Sequence, residues 1–383
     1  MESDSRHHRP RPTGRGSRRA RPTGRGSRRA RPTGREFRRA RRAGRTGPVA
    51  GAVALVVGAA LVAAVSLCGA ALLGMIDPPA AARSGDRSGG PGRSVGLPAH
   101  SDRFVTPEQL DRATAGAAPV ARRVVASLGG GPASAATKES PVGARGVGGV
   151  RAAIVPHHLV AGHLAAGLLA ALAERPPETV VIVGPDHFGA GPAVGTCRAA
   201  WNTAVGRVEA DTDLVSALVA RGAAVEAWDV LEREHSVGAL VPLVKRYFPE
   251  VRVVPLTVRA GVSFERAAAL GRLLAELAPG RGAAAGGGVL VIASVDFSHY
   301  LPRAEADRRD ELTLQALRNG DWDVLFAMGP AHLDSAAALA VAFAFAGCAE
   351  APRFEVVWHD NSAAVLGRPN LAETTSYFLL VIP

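Results

Sequence analysis

The sequence predicts an α/β fold in which a mainly parallel sheet is flanked by helices and preceded by one transmembrane helix. Three short apolar runs lack polar alternation, which is typical of strands buried on both faces; they are residues 152–155, 179–183 and 289–294. Segments with helical spacing of apolar residues alternate with such runs, which favours parallel strands joined by helices. Residues 47–76 carry no charged side chain.

The chain begins with an arginine-rich tail, residues 1–46, which includes three ten-residue units at 11–40. It holds 17 arginines against three acidic residues, so it carries the basic charge, and the rest of the chain is slightly acidic. Such a composition cannot bury a core, and we expect a disordered tail. It is either a solvated tail or a segment that binds RNA or anionic lipid headgroups. The charge of the remaining chain does not indicate a nucleic-acid-binding domain.

Residues 47–76 exceed the ~20 residues that cross a bilayer and the ~7–15 of a signal-peptide core, which predicts a transmembrane helix; a buried core helix is the alternative. Arginines precede this run and Asp77 follows it. The positive-inside rule then predicts a single-pass protein of the cell membrane, with a cytoplasmic N-terminus and an extracytoplasmic main domain.

Residues 77–149 are rich in Pro, Gly, Ser and Arg, which predicts a linker. A short helix is predicted after Thr106, which has the side chain of a cap residue and is followed by proline. The folded domain is expected over residues 150–383. Cys197 and Cys348 are either a disulfide pair or two free buried thiols.

The domain's elements follow in chain order. Leu164, Leu168 and Leu172 lie at helical spacing after the first strand. Pro255 indicates an edge strand or a bulge, because proline cannot donate to a ladder. The predicted bounds are strand 152–155, helix 159–174, strand 179–183, helices 211–219 and 237–247, strand 251–258, helix 264–277, strand 289–294, helices 305–318 and 335–347, and strands 354–358 and 377–382.

Histidines and an aspartate follow the three buried strands. His157 follows the first, His187 the second, and Asp296 and His299 the third. Ligands of open α/β sheets bind beyond the carboxyl ends of strands, and imidazole is the commonest protein ligand of iron, zinc and copper. The plainer alternative is that each histidine is a turn residue. His235 is a further candidate, or part of a cap formed by Ser236.

Four motifs, in this order, resemble the Memo-like family, whose microbial members include the B protein of the AmmeMemoRadiSam system. They are Pro156-His157, Gly184–His187, Glu234–Ser236 and Ser294–Tyr300. The resemblance covers roughly residues 150–382. The family is similar in fold to class III extradiol dioxygenases, which hold non-haem iron(II) at strand ends.

The resemblance implies a divalent metal, iron before copper or zinc. His157 and His187 match the two histidines at the metal position, and Ser298 falls where the animal member has a cysteine ligand. His235 matches a further site histidine that can act as acid or base, and Asp296 would orient the site. His299 is a further catalytic candidate.

The sequence departs from the family's pattern at two places. Gly238 stands where the family usually has a glutamate, and Asp334-Ser335 stands where it has Cys-Gly. Since a serine hydroxyl is a poorer ligand than a thiolate, Asp296, His299 or Asp334 could hold the metal instead of Ser298.

The expected function is a membrane-anchored, metal-dependent, dioxygenase-like oxidoreductase with a small-molecule or peptide ligand in the strand-end cleft. The alternative is a non-catalytic binding or adaptor module that retains the fold.

Overall fold

The computed structural model describes residues 98–129, 149–278 and 288–383. The arginine-rich tail and the predicted transmembrane helix at 47–76 lie outside these residues. Within the three described ranges, none of the helices combines the length and the apolar character that crossing a membrane requires.

The strands of the described residues form one twelve-stranded sheet. Their bounds are β1 His100–Ser101, β2 Ala152–Val155, β3 Thr179–Pro185, β4 Val194–Thr196, β5 Trp201–Thr203, β6 Gly206–Ala210, β7 Val225–Glu226, β8 Arg252–Val258, β9 Val289–Ser294, β10 His299–Leu301, β11 Glu355–Asn361 and β12 Thr374–Ile382. The main path runs β1-β5-β6-β8-β3-β9-β2-β12-β10, with β11 on β12, and β4 on both β7 and β8.

The centre of the sheet is parallel, as predicted. Strands β8, β3, β9 and β2 pair in parallel with one another, in that order across the sheet. Every residue of β2, β3 and β9 is buried, which explains their unbroken apolar sequences. Antiparallel strands complete the sheet, since β12 runs against β2 and carries β10 and β11. The fold is therefore a mixed α/β sheet with a parallel core.

Helices cover both faces of the sheet. Their bounds are α1 Pro107–Ala115, α2 Ala117–Gly129, α3 Gly162–Leu172, α4 Thr212–Ala220, α5 Trp228–Leu231, α6 His235–Gly238, α7 Val241–Tyr247, α8 Phe264–Leu277, α9 Arg303–Asn319, α10 Trp322–Ala327, α11 Ala336–Phe345 and α12 Ser362–Val365, with a 3-10 turn at Leu159–Ala161. One apolar layer holds α4 and α8–α11, and the other holds α1–α3 and α5–α7.

The segment 98–129 was predicted to belong to a linker with a short helix. That helix is α1, which begins at Pro107; the Thr106 side chain accepts from the Gln109 backbone, and the Gln109 side chain accepts from the Thr106 backbone. The segment also packs on the core, because Val120 is fully buried against the bare backbone of Gly167 in α3.

The predicted helix at 237–247 consists of two pieces, α6 and α7. The break lies at Ala239 and Leu240, and Pro242 falls in the first turn of α7. Proline is tolerated there because its missing N–H would have no partner in the first turn.

Pro255 does not lie at an edge, which was one of the two placements predicted for it. In β8 it pairs in parallel with Ile182 of β3. On the other side of β8, β6 pairs only as far as Val253 and β4 pairs from Leu256 onwards. The missing N–H of Pro255 therefore falls between two partner strands.

Cys197 and Cys348 are both free, buried thiols in the structure. The disulfide alternative is therefore wrong.

The crossing of α8 and α11 depends on Gly271. A Cβ at this position would lie 2.8 Å from the Ala344 Cβ and closer still to the Val341 carbonyl oxygen. We expect Gly271→Ala to lower the free energy of unfolding by about 1–3 kcal/mol through overpacking, although alanine favours a helix by about 1 kcal/mol. Urea unfolding measures this. Gly329→Ala is the matched control, because nothing lies within 4 Å of its Cβ position. Equal stabilities of the two variants would contradict the prediction.

Candidate metal centre at the carboxyl ends of the central strands

Three neighbouring strands deliver the candidate side chains to one edge of the sheet. His187 follows β3, Asp296 follows β9 and His157 follows β2, and these strands lie side by side in the order β3-β9-β2. His235 opens α6, and Asp334 lies just before α11. Ligand atoms of His157, His187 and His235 lie within 4.8 Å of one another, as do those of His157, Asp296 and Asp334. The structure thus brings together five of the residues considered from the sequence.

The proton of the His157 ring is fixed by Ser294, the last residue of β9. The His157 Nδ1 lies 3.1 Å from the Ser294 Oγ, and the Ser294 hydroxyl donates its only proton to the Ser236 carbonyl oxygen. Nδ1 must therefore be the donor, which leaves Nε2 with a free lone pair. Burial, and then the neighbouring histidines, hold the pKa of His157 well below its ordinary value.

Glu234 fixes the ring of His187 in the same way. The Glu234 Oε1 accepts from the His187 Nδ1 at 2.8 Å, and the Oε2 accepts from the His187 backbone N–H at 2.9 Å. Burial alone would lower the pKa of His187, but the hydrogen bond and charge of Glu234 outweigh burial, and the pKa is raised. A carboxylate on Nδ1 that leaves Nε2 free is the usual support of a metal-bound histidine.

His235 lies against His187 and is partly open to solvent. The two rings stack with their centroids 4.2 Å apart, and the His235 Nδ1 is 3.4 Å from the Glu234 Oε1. The side chain of His235 remains 42% exposed. Burial, followed by the charge of His187, lowers the pKa of His235 to about 4. His235 is therefore neutral at pH 7.

Two carboxylates face the free lone pair of His157. The Asp296 Oδ2 lies 3.6 Å from the His157 Nε2, and the Asp334 Oδ2 lies 3.4 Å from the same atom and 4.0 Å from the His187 Nε2. The Asp334 Oδ1 is buried without a hydrogen-bond partner. Burial raises the pKa of Asp334 well above its ordinary value, and the charge of Asp296 adds to this. Because a nitrogen lone pair and a carboxylate oxygen repel each other at these distances, a cation or a shared proton must lie between the His157 Nε2 and the two carboxylates.

The donor set fits a divalent metal. His157, His187 and Asp334 offer two imidazole nitrogens and a carboxylate oxygen, which is the set typical of non-haem iron(II) sites, whereas His157, His187 and His235 offer the three nitrogens typical of catalytic zinc. The buried, unpartnered oxygen of Asp334 is the observation that favours a cation here.

Ser298 and His299 form their hydrogen bonds with residues outside this group of donors. The Ser298 hydroxyl donates to the Asp310 Oδ1 at 2.7 Å, and the Asp310 Oδ2 lies 2.8 Å from the His359 Nε2. The His299 Nδ1 lies 3.2 Å from the Pro330 carbonyl oxygen. Burial lowers the pKa of His299, and the charge of Asp296 partly opposes this. The assignment of Ser298 as a ligand therefore rests on the family resemblance alone.

Sequence reasoning gave no role to Glu234 or Ser294, although both lie within the motifs singled out. The alternative to a site role for His235 was a helix cap formed by Ser236. The cap of α6 is Glu234, which accepts from the Ser236 backbone N–H, and the Ser236 hydroxyl donates to the Pro185 carbonyl oxygen. The available signal for Ser294 was its place at the end of an apolar run, since a buried polar group needs a partner.

Comparisons with known proteins agree on one family. The sequence model of the Memo-like protein family matches residues 136–372. A MEMO1 family protein of Pyrobaculum aerophilum is 36% identical over 191 residues, which are 48% of this chain and 64% of the relative. A MEMO1 family protein of Thermotoga maritima is 31% identical over 182 residues, which are 45% of this chain and 62% of the relative. The chain thus spans slightly less than two thirds of the length of these relatives.

Among solved structures, an uncharacterized protein from Escherichia coli K12 is similar with a TM-score of 0.40 and 12% sequence identity. The similarity covers 61% of this chain and all of the other.

The lowered pKa of His235 is directly measurable. In the metal-free protein, the folded-state pKa lies below the ordinary value of 6.5, so the ring stays neutral as the pH falls through 6.5, while the unfolded chain takes up a proton. The stability that neutral His235 contributes is therefore complete above pH 6.5 and is lost as the pH falls towards the folded-state pKa. Nitrogen-detected NMR titration of the imidazoles, assigned with His235→Gln, measures this pKa. A value at or above 6.5 would contradict the burial argument.

Proposed function

The chain belongs to the Memo-like protein family, and from this premise we propose that it is a metal-dependent, dioxygenase-like oxidoreductase whose divalent metal is held beyond the carboxyl ends of β2, β3 and β9. The observation that carries the proposal is the meeting of the Nε2 atoms of His157 and His187 with the buried side chain of Asp334, one oxygen of which lacks a hydrogen-bond partner.

His157 and His187 would hold the metal, with Asp334 or His235 as a further donor. Iron fits the set of two histidines and a carboxylate best, and copper or zinc would also accept imidazole nitrogen. When bound, such a metal supplies a Lewis acid and, for iron or copper, a redox-active centre.

The surrounding residues would position the donors and move protons. Glu234 holds the His187 ring through the Nδ1 proton, and Asp296 holds the His157 loop by accepting its backbone N–H at 3.2 Å. His235 is neutral at pH 7 and partly exposed, so it is suited to accept a proton from a bound ligand rather than to donate one. His299 would serve as a secondary group beside Asp296.

We also propose that the chain is a single-pass membrane protein with its main domain outside the cytoplasm. The uncharged run at 47–76 and the arginines that precede it support this. A small molecule or peptide would enter the strand-end cleft from the extracytoplasmic side.

A non-catalytic binding module is the second candidate. Phe188 follows His187 directly and is 63% exposed, and Tyr300 follows His299 and is 52% exposed. Tyr300 also adopts a left-handed backbone with φ of 58°, an arrangement that costs of order 1–3 kcal/mol in a non-glycine residue and is found at functional sites. Exposed aromatic side chains next to the site favour docking of a ligand.

Metal content tests the leading proposal. After loading with iron(II) under anaerobic conditions and desalting, we expect about one metal per chain by elemental analysis, and its loss from the His157→Ala/His187→Ala double variant, because two of the donors are removed. His332→Ala is the matched control and should retain the metal, because the His332 ring contacts Arg309 and Thr313 instead. A protein without metal after loading with iron, copper or zinc would refute the proposal and favour the binding module.

Oxygen consumption with catechols tests the chemistry. We expect uptake by the iron-loaded protein, and a fall of about 10²–10⁴-fold in His235→Gln if His235 is the base. The metal content of that variant should be measured on the same sample, so that loss of a proton acceptor is separated from loss of a ligand. If the protein retains the metal but consumes no oxygen, the metal site is supported, the oxidoreductase proposal fails and a ligand-binding function is favoured.

A further inference from the structure

The segment 98–105, here called the strap, passes beside the candidate metal centre. Its Phe104 is half-buried and faces Gly238 in the short helix α6. A Cβ on Gly238 would lie 2.6 Å from the Phe104 Cε2 and closer still to the Cδ2, so the ring occupies the space that any side chain at position 238 would need. The Phe104 ring centroid is 6.4 Å from that of His235. Phe104 therefore fills the flank of the site next to His235.

The strap is held on the side that precedes Phe104. Glu232 is the common acceptor: its Oε2 receives the His100 Nδ1–H at 3.0 Å, its Oε1 receives the Ser101 hydroxyl at 2.6 Å, and Arg103 lies 2.7 Å from Oε1. The His100 ring is fully buried and stacks on Trp201 with centroids 4.1 Å apart. His100 and Glu232 are both buried, so each would cost free energy if it lost its partner.

The strap is also held next to Phe104 itself. The Asp102 carboxylate accepts from the Val105 backbone N–H and from the Ala204 backbone N–H, both at 3.3 Å. The Asp102 backbone N–H bonds to the Asn202 carbonyl oxygen at 3.1 Å. The loop that carries Phe104 is thereby tied to the β5–β6 hairpin, which makes it a fixed wall rather than a moving lid.

We propose that Phe104 is a specificity-determining residue of this site: its ring closes the Gly238 flank of His235 and restricts the ligand to forms that approach His235 from the opposite side. The proposal rests on the site binding a ligand, as set out above. The strap lies before residues 136–372, which the family model matches, so this wall is built by a part of the chain outside the matched region.

The test uses the full chain and diethyl pyrocarbonate, a reagent that acylates neutral imidazole. The rate of modification of His235 is followed by peptide mass spectrometry. Because the His235 side chain is 42% exposed with the wall in place, removing the ring in Phe104→Ala should raise the rate by about twofold or more. Phe104→Tyr should keep the wild-type rate, since it retains the ring. The rate at His332 in the same samples is the internal control.

A substitution at Gly238 tests the same contact between Phe104 and Gly238. Gly238→Ala places a methyl group where the Phe104 ring lies, so it should displace the ring, raise the His235 rate and lower the thermal stability. In the Phe104→Ala background, the same substitution should add little to either effect, because the clash is gone. This coupling is expected even if Phe104→Ala itself lowers stability.

Unchanged His235 rates in both Phe104→Ala and Gly238→Ala would overturn the proposal, and so would additive effects in the double variant. The metal measurement separates this failure from failure of the proposed function. If the chain binds no metal but shows the coupled rise in His235 reactivity, the proposal for Phe104 stands and the metal proposal fails. If the chain binds metal and the reactivity of His235 is unchanged, the metal proposal stands and the proposal for Phe104 fails.

Discussion

The candidate metal centre depends on where two imidazole protons are held. Ser294 has one proton and gives it to a carbonyl oxygen, so its oxygen must accept from the His157 Nδ1. Glu234 is acceptor-only and accepts a hydrogen bond from the His187 Nδ1–H. Both rings therefore turn their Nε2 towards Asp334, and the Nε2 of the neutral His157 ring carries a free lone pair. Without these two fixed protons, either ring could present N–H to the aspartates and form an ordinary hydrogen bond, and the arrangement would indicate no cation.

The order of the central strands explains how residues so distant in sequence meet. Strand β9 lies between β3 and β2, and its last residue, Ser294, contacts both the His157 ring and the backbone at Ser236. Apolar runs and the polar residues that follow them were enough to predict these strands and to place His157, His187 and Asp296 at one edge. A parallel sheet delivers every carboxyl end to the same side, so this inference needs no knowledge of strand order.

Contacts between side chains were less predictable, because they depend on tertiary packing. The family resemblance suggested Ser298 as a metal ligand, and the structure shows that its hydroxyl donates to Asp310 from α9. Glu234 looked like a neighbour of His235, and its main partner is His187. Pro255 suggested an edge, but its missing N–H falls where one partner strand ends and another begins. Gly238 gave no sign that a residue of the predicted linker fills the space beside it.

The surroundings of Asp334 bear on whether a metal or a shared proton would lie between the carboxylates and His157. A proton on Asp334 would satisfy the contact with His157, but the Oδ1 would remain buried without a partner, at a cost of about 1–3 kcal/mol. That is a sizeable part of the ~5–15 kcal/mol that stabilises a typical domain. A divalent cation would offset the charges of Asp296 and Asp334 together and would bind the Nε2 atoms of both histidines, which a single proton cannot do. The raised pKa of Asp334 expresses the same imbalance, and such imbalances are concentrated at functional sites. A role in binding a cation would therefore account for the burial of the Asp334 carboxylate.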